Sequence, residues 1–161
     1  MGRPVGDPGE YHAETLNYLA STPAEYRVSR GQFFTPRSLR EELLAQVPRL
    51  PSPKVLDPAC GTGEFLLSAL EHFQDPRLYC WEVDERLAEV ARRVVPEAEV
   101  EVVDSLRKPF REEFDVVLGN PPYFEFRPSD EIRRRYGEVI GGRTNVYALF
   151  IYPGLRLLKP G

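Results

Sequence analysis

Two cysteines, two histidines, one methionine and three lysines are all that this 161-residue chain holds of those residue types. Each shortage excludes a class of protein. Cys60 and Cys80 are too few for the disulfide framework of a small secreted domain. Both are expected to be reduced packing residues in a cytoplasmic protein, with Cys60 a small filler rather than a nucleophile. His12 and His72 stand alone, with no metal-ligand spacing around them, so no metal is expected. No apolar run approaches the roughly 18 residues that a membrane span needs, and nothing at the N-terminus resembles a secretory signal. The net charge of −4 and the pI of about 5.3 exclude a domain held to nucleic acid by bulk positive charge. They leave room for a catalytic domain whose phosphate contacts lie in another module.

Arginine outnumbers lysine 18 to 3, and there are three asparagines and three glutamines. That pattern fits a heat-adapted source and fits a GC-rich genome equally well. The scarcity draws attention to Asn120 and Asn145, which stand beside Pro-Pro-Tyr and Val-Tyr.

The length suits one domain with a real core. Residues 1–9, with three glycines and two prolines, form an arm with little apolar content. Tyr11, Leu16 and Leu19 suggest a short helix between Glu10 and Ala20. Thr35 and Pro36 predict a helix start, with Thr35 as N-cap and Pro36 in the first turn. Leu39, Leu43, Leu44 and Val47 would then form its buried face, and Pro48 would close it. Strands are expected at 54–56, 78–81, 100–103 and 114–118. Helices follow the first two, with Phe65, Leu66, Ala69, Leu70 and Phe73 on one and Leu87, Val90, Ala91 and Val94 on the other. Alternating strands and helices imply an α/β fold with a parallel sheet. Residues 124–143 carry Arg127, Arg133, Arg134, Arg135 and Arg143 against Glu125, Asp130, Glu131 and Glu138. They are expected to be a solvated loop, with a DNA-facing role for Arg133 to Arg135 as the alternative and Gly141-Gly142 as a point of movement.

Two short motifs carry chemistry. The first, Asp57-Pro58-Ala59-Cys60-Gly61-Thr62-Gly63-Glu64-Phe65, follows the first strand. In open parallel sheets, ligands bind past the carboxyl ends of the strands. Gly61 and Gly63 would let the backbone approach such a ligand closely. The turn lacks the Gly-Lys-Ser/Thr of a phosphate loop and the third glycine of the dinucleotide fingerprint. Glu82 ends the second strand, where an acid can accept both hydroxyls of a ribose. Asp104 ends the third, where a carboxylate can accept from an adenine amino group. A turn without a ligand and ordinary solvated acids are the plainer readings. Three successive strands each ending in an acid argue against them.

The second motif is Asn120-Pro121-Pro122-Tyr123. Its prolines fix the backbone and remove two N–H donors, so acceptors dominate: the Asn120 side-chain oxygen and the Pro121 carbonyl. Together they can hold both hydrogens of a planar amino group and draw its lone pair out of conjugation, which leaves positioning and polarisation as the catalytic levers. Tyr123 offers a flat face for a planar substrate.

With both motifs in this order, residues 30–161 resemble the S-adenosylmethionine-dependent N6-adenine DNA methyltransferases of restriction–modification systems. Gln32-Phe33-Phe34-Thr35-Pro36 resembles their N-terminal cofactor motif, and Thr144-Asn145-Val146-Tyr147-Ala148-Leu149-Phe150 with Leu157-Leu158-Lys159-Pro160-Gly161 resembles the helix and turn before their fifth strand. The resemblance implies a Rossmann-like methyltransferase fold, a parallel sheet with helices on both faces, truncated after the fourth strand. It implies an N-terminal arm and helix at 1–29 and a partial catalytic domain at 30–161, without the target-recognition domain. It implies S-adenosylmethionine as cofactor, held by Phe33, Thr35, Asp57, Ala59, Cys60, Gly61, Gly63, Phe65, Glu82, Val83, Asp104, Ser105 and Pro122, with Thr35 at the methionine end. Asn120, Pro121 and Tyr123 would be catalytic, acting on a flipped-out adenine in DNA. A protein glutamine or an RNA guanine is the alternative acceptor, and a non-catalytic remnant is the alternative outside enzymes. The family's strand order would leave strand four at the sheet's edge, inviting a second copy or another polypeptide to cover it. Pro153-Gly154 interrupts the final helical pattern. An interior proline costs roughly 3 kcal/mol, so a kink or break is expected there.

Overall fold

A computed structural model describes residues 9–123, 125–137, 140 and 144–160, with the side chains of 125, 126, 144 and 145 left aside. The expectations placed on 1–8, Glu138, Gly141-Gly142, Arg143 and Gly161 lie outside them. The chain opens with α1 (Ala13–Ser21), α2 (Ala24–Ser29) and α3 (Arg37–Ala45). Then come β1 (Lys54–Asp57), α4 (Glu64–His72), β2 (Arg77–Glu82), α5 (Glu85–Val94) and β3 (Glu99–Val102). A 3₁₀ turn (Ser105–Arg107) leads to β4 (Val116–Val117), β5 (Glu125–Phe126), α6 (Asp130–Arg135), β6 (Thr144–Asn145) and α7 (Val146–Leu157).

The main sheet has the order β3-β2-β1-β4 and every pairing in it is parallel. Alternate residues face opposite layers, as a period of two demands. Val55, Leu78, Cys80 and Val116 pack with Leu66, Ala69 and Ala91 from α4 and α5. Leu56, Trp81 and Val117 pack with Phe114 and with Leu157 from α7. Both faces are therefore covered, which explains why β1 and most of β2 are apolar without alternation. Helix α1 packs on α5 through a cluster of Tyr18, Leu87, Val90 and Val94. Helix α5 starts on Asp84, whose Oδ1 accepts from the Arg86 N–H at 2.9 Å, and ends on Arg92 and Arg93. Acid at the first turn and base at the last both suit the helix dipole.

Four expectations need correction. Pro36, not Thr35, is the N-cap of α3, with no side-chain cap bond. The buried face of α3 is Arg40 and Leu44, while Leu39 and Leu43 are 46% and 45% exposed. Arg40, which makes an ion pair described below, lies on the side of the helix that faces inward. Helix α7 runs unbroken from Val146 to Leu157 with Pro153 inside it. Pro153, Gly154 and Leu157 are buried, and a Cβ at Gly154 would touch Val117 Cγ1 at 3.6 Å. Packing on β4 holds the helix where its local sequence would interrupt it. The described part of 124–143 is not a plain solvated loop. It contributes β5, paired antiparallel with β6, and α6, whose Ile132 packs with Tyr136, Leu106, Val146 and Leu149. Arg133 Nε donates to the Pro128 carbonyl at 3.2 Å, and Arg135 donates to the Lys108 carbonyl with its guanidinium 4.4 Å from the Phe110 ring centre. Those two arginines are spent on the fold.

A further correction concerns the cysteines. The parallel register sets Asp57 opposite Cys80, and the Cys60 N–H donates to the Trp81 carbonyl at 3.1 Å. The structure pairs Cys60 with Cys80, their Cα atoms 5.5 Å apart, the spacing of a disulfide. Reduced packing residues were expected.

Beyond α7 the chain returns to the sheet. Leu158 bridges Phe114 in parallel, and the Lys159 N–H donates to the Phe114 carbonyl at 2.9 Å. This covers the start of the β4 edge. Among the described residues, nothing pairs with the outer side of Val116–Val117.

Candidate active site

A cavity of about 430 Å³ opens at the carboxyl ends of the four parallel strands. Of the residues expected to hold the cofactor, all but Gly63 line it: Phe33, Thr35, Asp57, Ala59, Cys60, Gly61, Phe65, Glu82, Val83, Asp104, Ser105 and Pro122. Asn120 lines it too, whereas Pro121 and Tyr123 do not.

The two glycines of the turn have different duties. A Cβ on Gly61 would meet no protein atom within 4 Å, so its open side faces space that a ligand can use. Gly63 has φ +84°, and a Cβ there would approach Val95 Cγ1 at 2.9 Å. It is the N-cap of α4, and its small size serves helix packing.

Glu82 is the best-held acid. It is buried, its Oε2 accepts from the Gly61 N–H at 2.8 Å, and its Oε1 accepts from the Asp84 N–H at 3.0 Å. Each oxygen keeps a further lone pair, so the carboxylate can accept from two vicinal hydroxyls without moving. Burial raises its pKa, against the pull of those N–H donors. Asp104 caps the 3₁₀ turn through the Leu106 N–H at 3.0 Å, with its other oxygen 3.4 Å from Arg107 Nε. The Ser105 hydroxyl donates to the Pro58 carbonyl, joining the β3 turn to the β1 turn.

Asp57 is fully enclosed. Its Oδ1 accepts from the Ala59 N–H at 3.1 Å, and a Cβ on Gly119 would run into its carboxylate. The turns after β1 and β4 thus meet at this side chain. Burial pushes its pKa up to about 7, with the Glu82 charge acting in the same direction. An unfolded aspartate ionises near 3.8, so between that pH and about 7 the folded chain holds the extra proton. Stability is therefore highest at the acid end of this window and falls as pH rises through it. Above pH 7 the full cost, about 4 kcal/mol, is present. Urea unfolding of the wild type should show lower stability at pH 8 than at pH 5. Asp57→Asn should remove most of that difference, leaving the smaller slope that Glu82 contributes in the same direction. A pH slope that Asp57→Asn leaves intact would show that Asp57 is ionised in the folded protein.

At the far end of the cavity, Asn120 Nδ2 donates to the Phe33 carbonyl at 3.1 Å. With its donor side engaged, the Asn120 Oδ1 is the side of the amide left to accept. The Tyr123 N–H lies 3.4 Å from the Gly31 carbonyl, and the Phe33 and Tyr123 rings meet edge-on at 6.1 Å. Tyr147, at the start of α7, stacks at a 38° tilt with its ring centre 5.7 Å from that of Tyr123. Phe33, Tyr123 and Tyr147 are 51%, 47% and 40% exposed. The three rings make an aromatic rim beside Asn120.

The sequence reading missed Gly31, Arg40 and Glu64. The signal for Arg40 was present: it lies i−4 from Leu44, on a face otherwise apolar, where a lone arginine needs a buried partner.

A family model for N-6 DNA methylases matches residues 9–137. The chain belongs to the N-6 DNA methylase family. It is 30% identical over 149 residues to the modification methylase CviBIII of Paramecium bursaria Chlorella virus NC1A, across 89% of this chain and 38% of that protein. It is 32% identical over 147 residues to the type II methyltransferase M.TthHB8I of Thermus thermophilus, across 83% of this chain and 33% of that protein. The chain thus spans well under half the length of these curated relatives. Its fold is that of the type I restriction–modification methyltransferase subunit from Streptococcus thermophilus, with a TM-score of 0.69 at 19% identity over 98% of this chain and 38% of that one. This N-6 DNA methylase chain therefore has a parallel α/β methyltransferase fold. Among its described residues no helix is long and apolar enough to cross a membrane.

Proposed function

We propose that this chain carries the cofactor-binding and catalytic part of an enzyme that transfers a methyl group from S-adenosylmethionine to the N6 amino group of adenine in DNA. The observation that carries the reading is the Asn120 amide. Its NH2 is tied to the Phe33 carbonyl, and its oxygen is left as an acceptor at the end of a cavity lined by Asp57, Glu82 and Asp104.

The donor set fits the cofactor. Glu82 presents two accepting oxygens for a ribose, and five acids line the cavity against two arginines, which suits a cationic ligand. When bound, S-adenosylmethionine supplies an electrophilic methyl group on a sulfonium. The protein's own residues do the rest. Asn120 Oδ1 and the Pro121 carbonyl accept the two hydrogens of the adenine amino group. This pulls its lone pair out of the ring and aims it into the cavity. Tyr123, flanked by Phe33 and Tyr147, stacks the base and excludes water. No side-chain base is needed before attack, because the methylated nitrogen loses its proton to water afterwards. Asp104 accepts from the cofactor's adenine, and Gly61 leaves room for its ribose.

The open outer edge of β4 supports a partner. A second copy of the chain or another polypeptide would continue the sheet from Val116–Val117.

The test is transfer of a labelled methyl group from S-adenosylmethionine to an adenine-containing duplex, a glutamine peptide and a structured RNA. Label in the duplex, recovered as N6-methyladenine, is expected. Label in the peptide or RNA instead would move the substrate assignment. Absence of cofactor binding by calorimetry at millimolar concentration would reduce the chain to a non-catalytic remnant.

A further inference from the structure

One buried cation is built into the wall of a mainly acidic cavity. Arg40 on α3 and Glu64 in the first turn of α4 both line it, and they are 2% and 6% exposed. Arg40 Nη1 and Glu64 Oε2 are 2.6 Å apart. Arg40 Nη2 donates to the Glu10 carbonyl at 2.9 Å, and Glu64 Oε1 accepts from the His12 N–H at 2.9 Å. Arg40 Nε is buried without a hydrogen-bond partner.

Fold stability does not account for this pair. Taking two opposite charges out of water is costly, and apolar side chains of similar size often serve as well or better. An unpaired guanidinium N–H adds to that cost. Arg40 is also the one buried basic side chain among the described residues. Of the lining side chains, Asp57, Glu64, Glu82, Asp84 and Asp104 are acidic, while Arg30 and Arg40 are basic, and Arg30 is exposed. A ligand that brings a carboxylate into the interior of this cavity has one buried positive charge to meet.

S-adenosylmethionine brings such a group: its amino-acid end carries a carboxylate and an ammonium on one carbon. Glu82 and Asp104 suit its ribose and adenine. That leaves the end of the cavity walled by α3 and the first turn of α4. Resting on the cofactor reading above, we propose that Arg40 and Glu64 form the receptor for the amino-acid end of the cofactor. Arg40 meets the carboxylate with a planar guanidinium whose geometry matches it. Glu64 meets the ammonium with the lone pairs that Arg40 and His12 leave free. The pair holds one charge of each sign, in the cavity wall, for a ligand that carries the same two.

Calorimetry on the full chain tests this with two ligands. One is S-adenosylmethionine. The other is methylthioadenosine, which keeps the adenine and ribose and lacks the amino acid. The double substitution Arg40→Met/Glu64→Met replaces the ion pair by apolar side chains of similar length, and thermal melting checks that it folds. It should weaken S-adenosylmethionine binding at least about tenfold and leave methylthioadenosine within about twofold. Arg40→Lys, which keeps the charge and loses the fork, should weaken S-adenosylmethionine alone by a smaller factor, and it decides the matter if the double variant does not fold. Equal losses for both ligands, or no loss for either, would overturn the subsite. A wild type that binds both ligands equally well would overturn it while leaving the cofactor reading intact. A wild type that binds neither would remove the cofactor reading and the subsite with it.

Discussion

Asn120→Ala should slow methyl transfer by about 10²–10³-fold, the loss typical of deleting one preorganised polar group at a reacting centre, with cofactor affinity unchanged within about twofold. The expectation rests on which part of the amide is already engaged. Nδ2 is bound to the Phe33 carbonyl, so the substitution removes the accepting oxygen and one tether while leaving the acids of the cofactor site untouched. Asn120 is only partly buried. Its truncation opens no core cavity, and stability should stay within about 0.5 kcal/mol of wild type. Single-turnover transfer into an adenine duplex, calorimetry with the cofactor and a urea melt separate the three quantities. Wild-type transfer by Asn120→Ala would exclude amino-group polarisation by this turn. A parallel fall in cofactor affinity would make Asn120 a binding residue instead.

Gly31→Ala should reduce transfer by about 10²-fold although residue 31 is offered no chemistry. Gly31 has φ +63°, and a Cβ would lie 2.6 Å from the Tyr123 nitrogen and 3.0 Å from its carbonyl carbon and oxygen. Those are backbone atoms, so no side-chain rotation relieves the clash. Either the Asn-Pro-Pro-Tyr turn or the 31–33 segment must shift. Two hydrogen bonds join these segments, from the Tyr123 N–H to the Gly31 carbonyl and from Asn120 Nδ2 to the Phe33 carbonyl. A displacement of about 1 Å at a positioning group costs about 10² in rate. Alanine in left-handed backbone also costs about 1–2 kcal/mol, so the melting temperature should fall by a few degrees. Cofactor affinity should fall less than kcat, because Gly61, in the turn after β1, and Glu82, at the end of β2, lie on other segments. Full activity in Gly31→Ala would show that the strap over the turn is not needed for positioning.

Much of this architecture is legible in the residues. The strand ends Asp57, Glu82 and Asp104 can be assigned to one cavity because a parallel sheet places the carboxyl ends of its strands side by side. The apolar runs of β1 and β2 announce a sheet covered on both faces. Errors arise where a neighbour in space overrules a neighbour in sequence. Leu39 and Leu43 have the spacing of a buried stripe, yet Arg40 and Leu44 are the residues of α3 that face inward. Pro153-Gly154 has the composition of a break, yet β4 and the clusters under α7 hold the helix together. Residues 124–143 are polar by count, yet Ile132 and Tyr136 are buried in a cluster with Leu106, Val146 and Leu149. Gly63 lies in a ligand-binding motif, and its lack of a side chain is explained by Val95, more than thirty residues away.

The amino-acid sequence alone pointed to the family, to the alternation of strands and helices and to the chemistry that Asn120-Pro121-Pro122-Tyr123 can offer. Those follow from short motifs and local periodicity, which depend on residues close together in the chain. Tertiary structure alone decided that the Asn120 amide is fixed by Phe33, that Gly31 braces Tyr123, and that Arg40 and Glu64 place opposite charges in the cavity wall. Each of those contacts joins segments separated by more than twenty residues. Whether such a pair meets is set by how helices and turns pack over the sheet, and no local pattern encodes that.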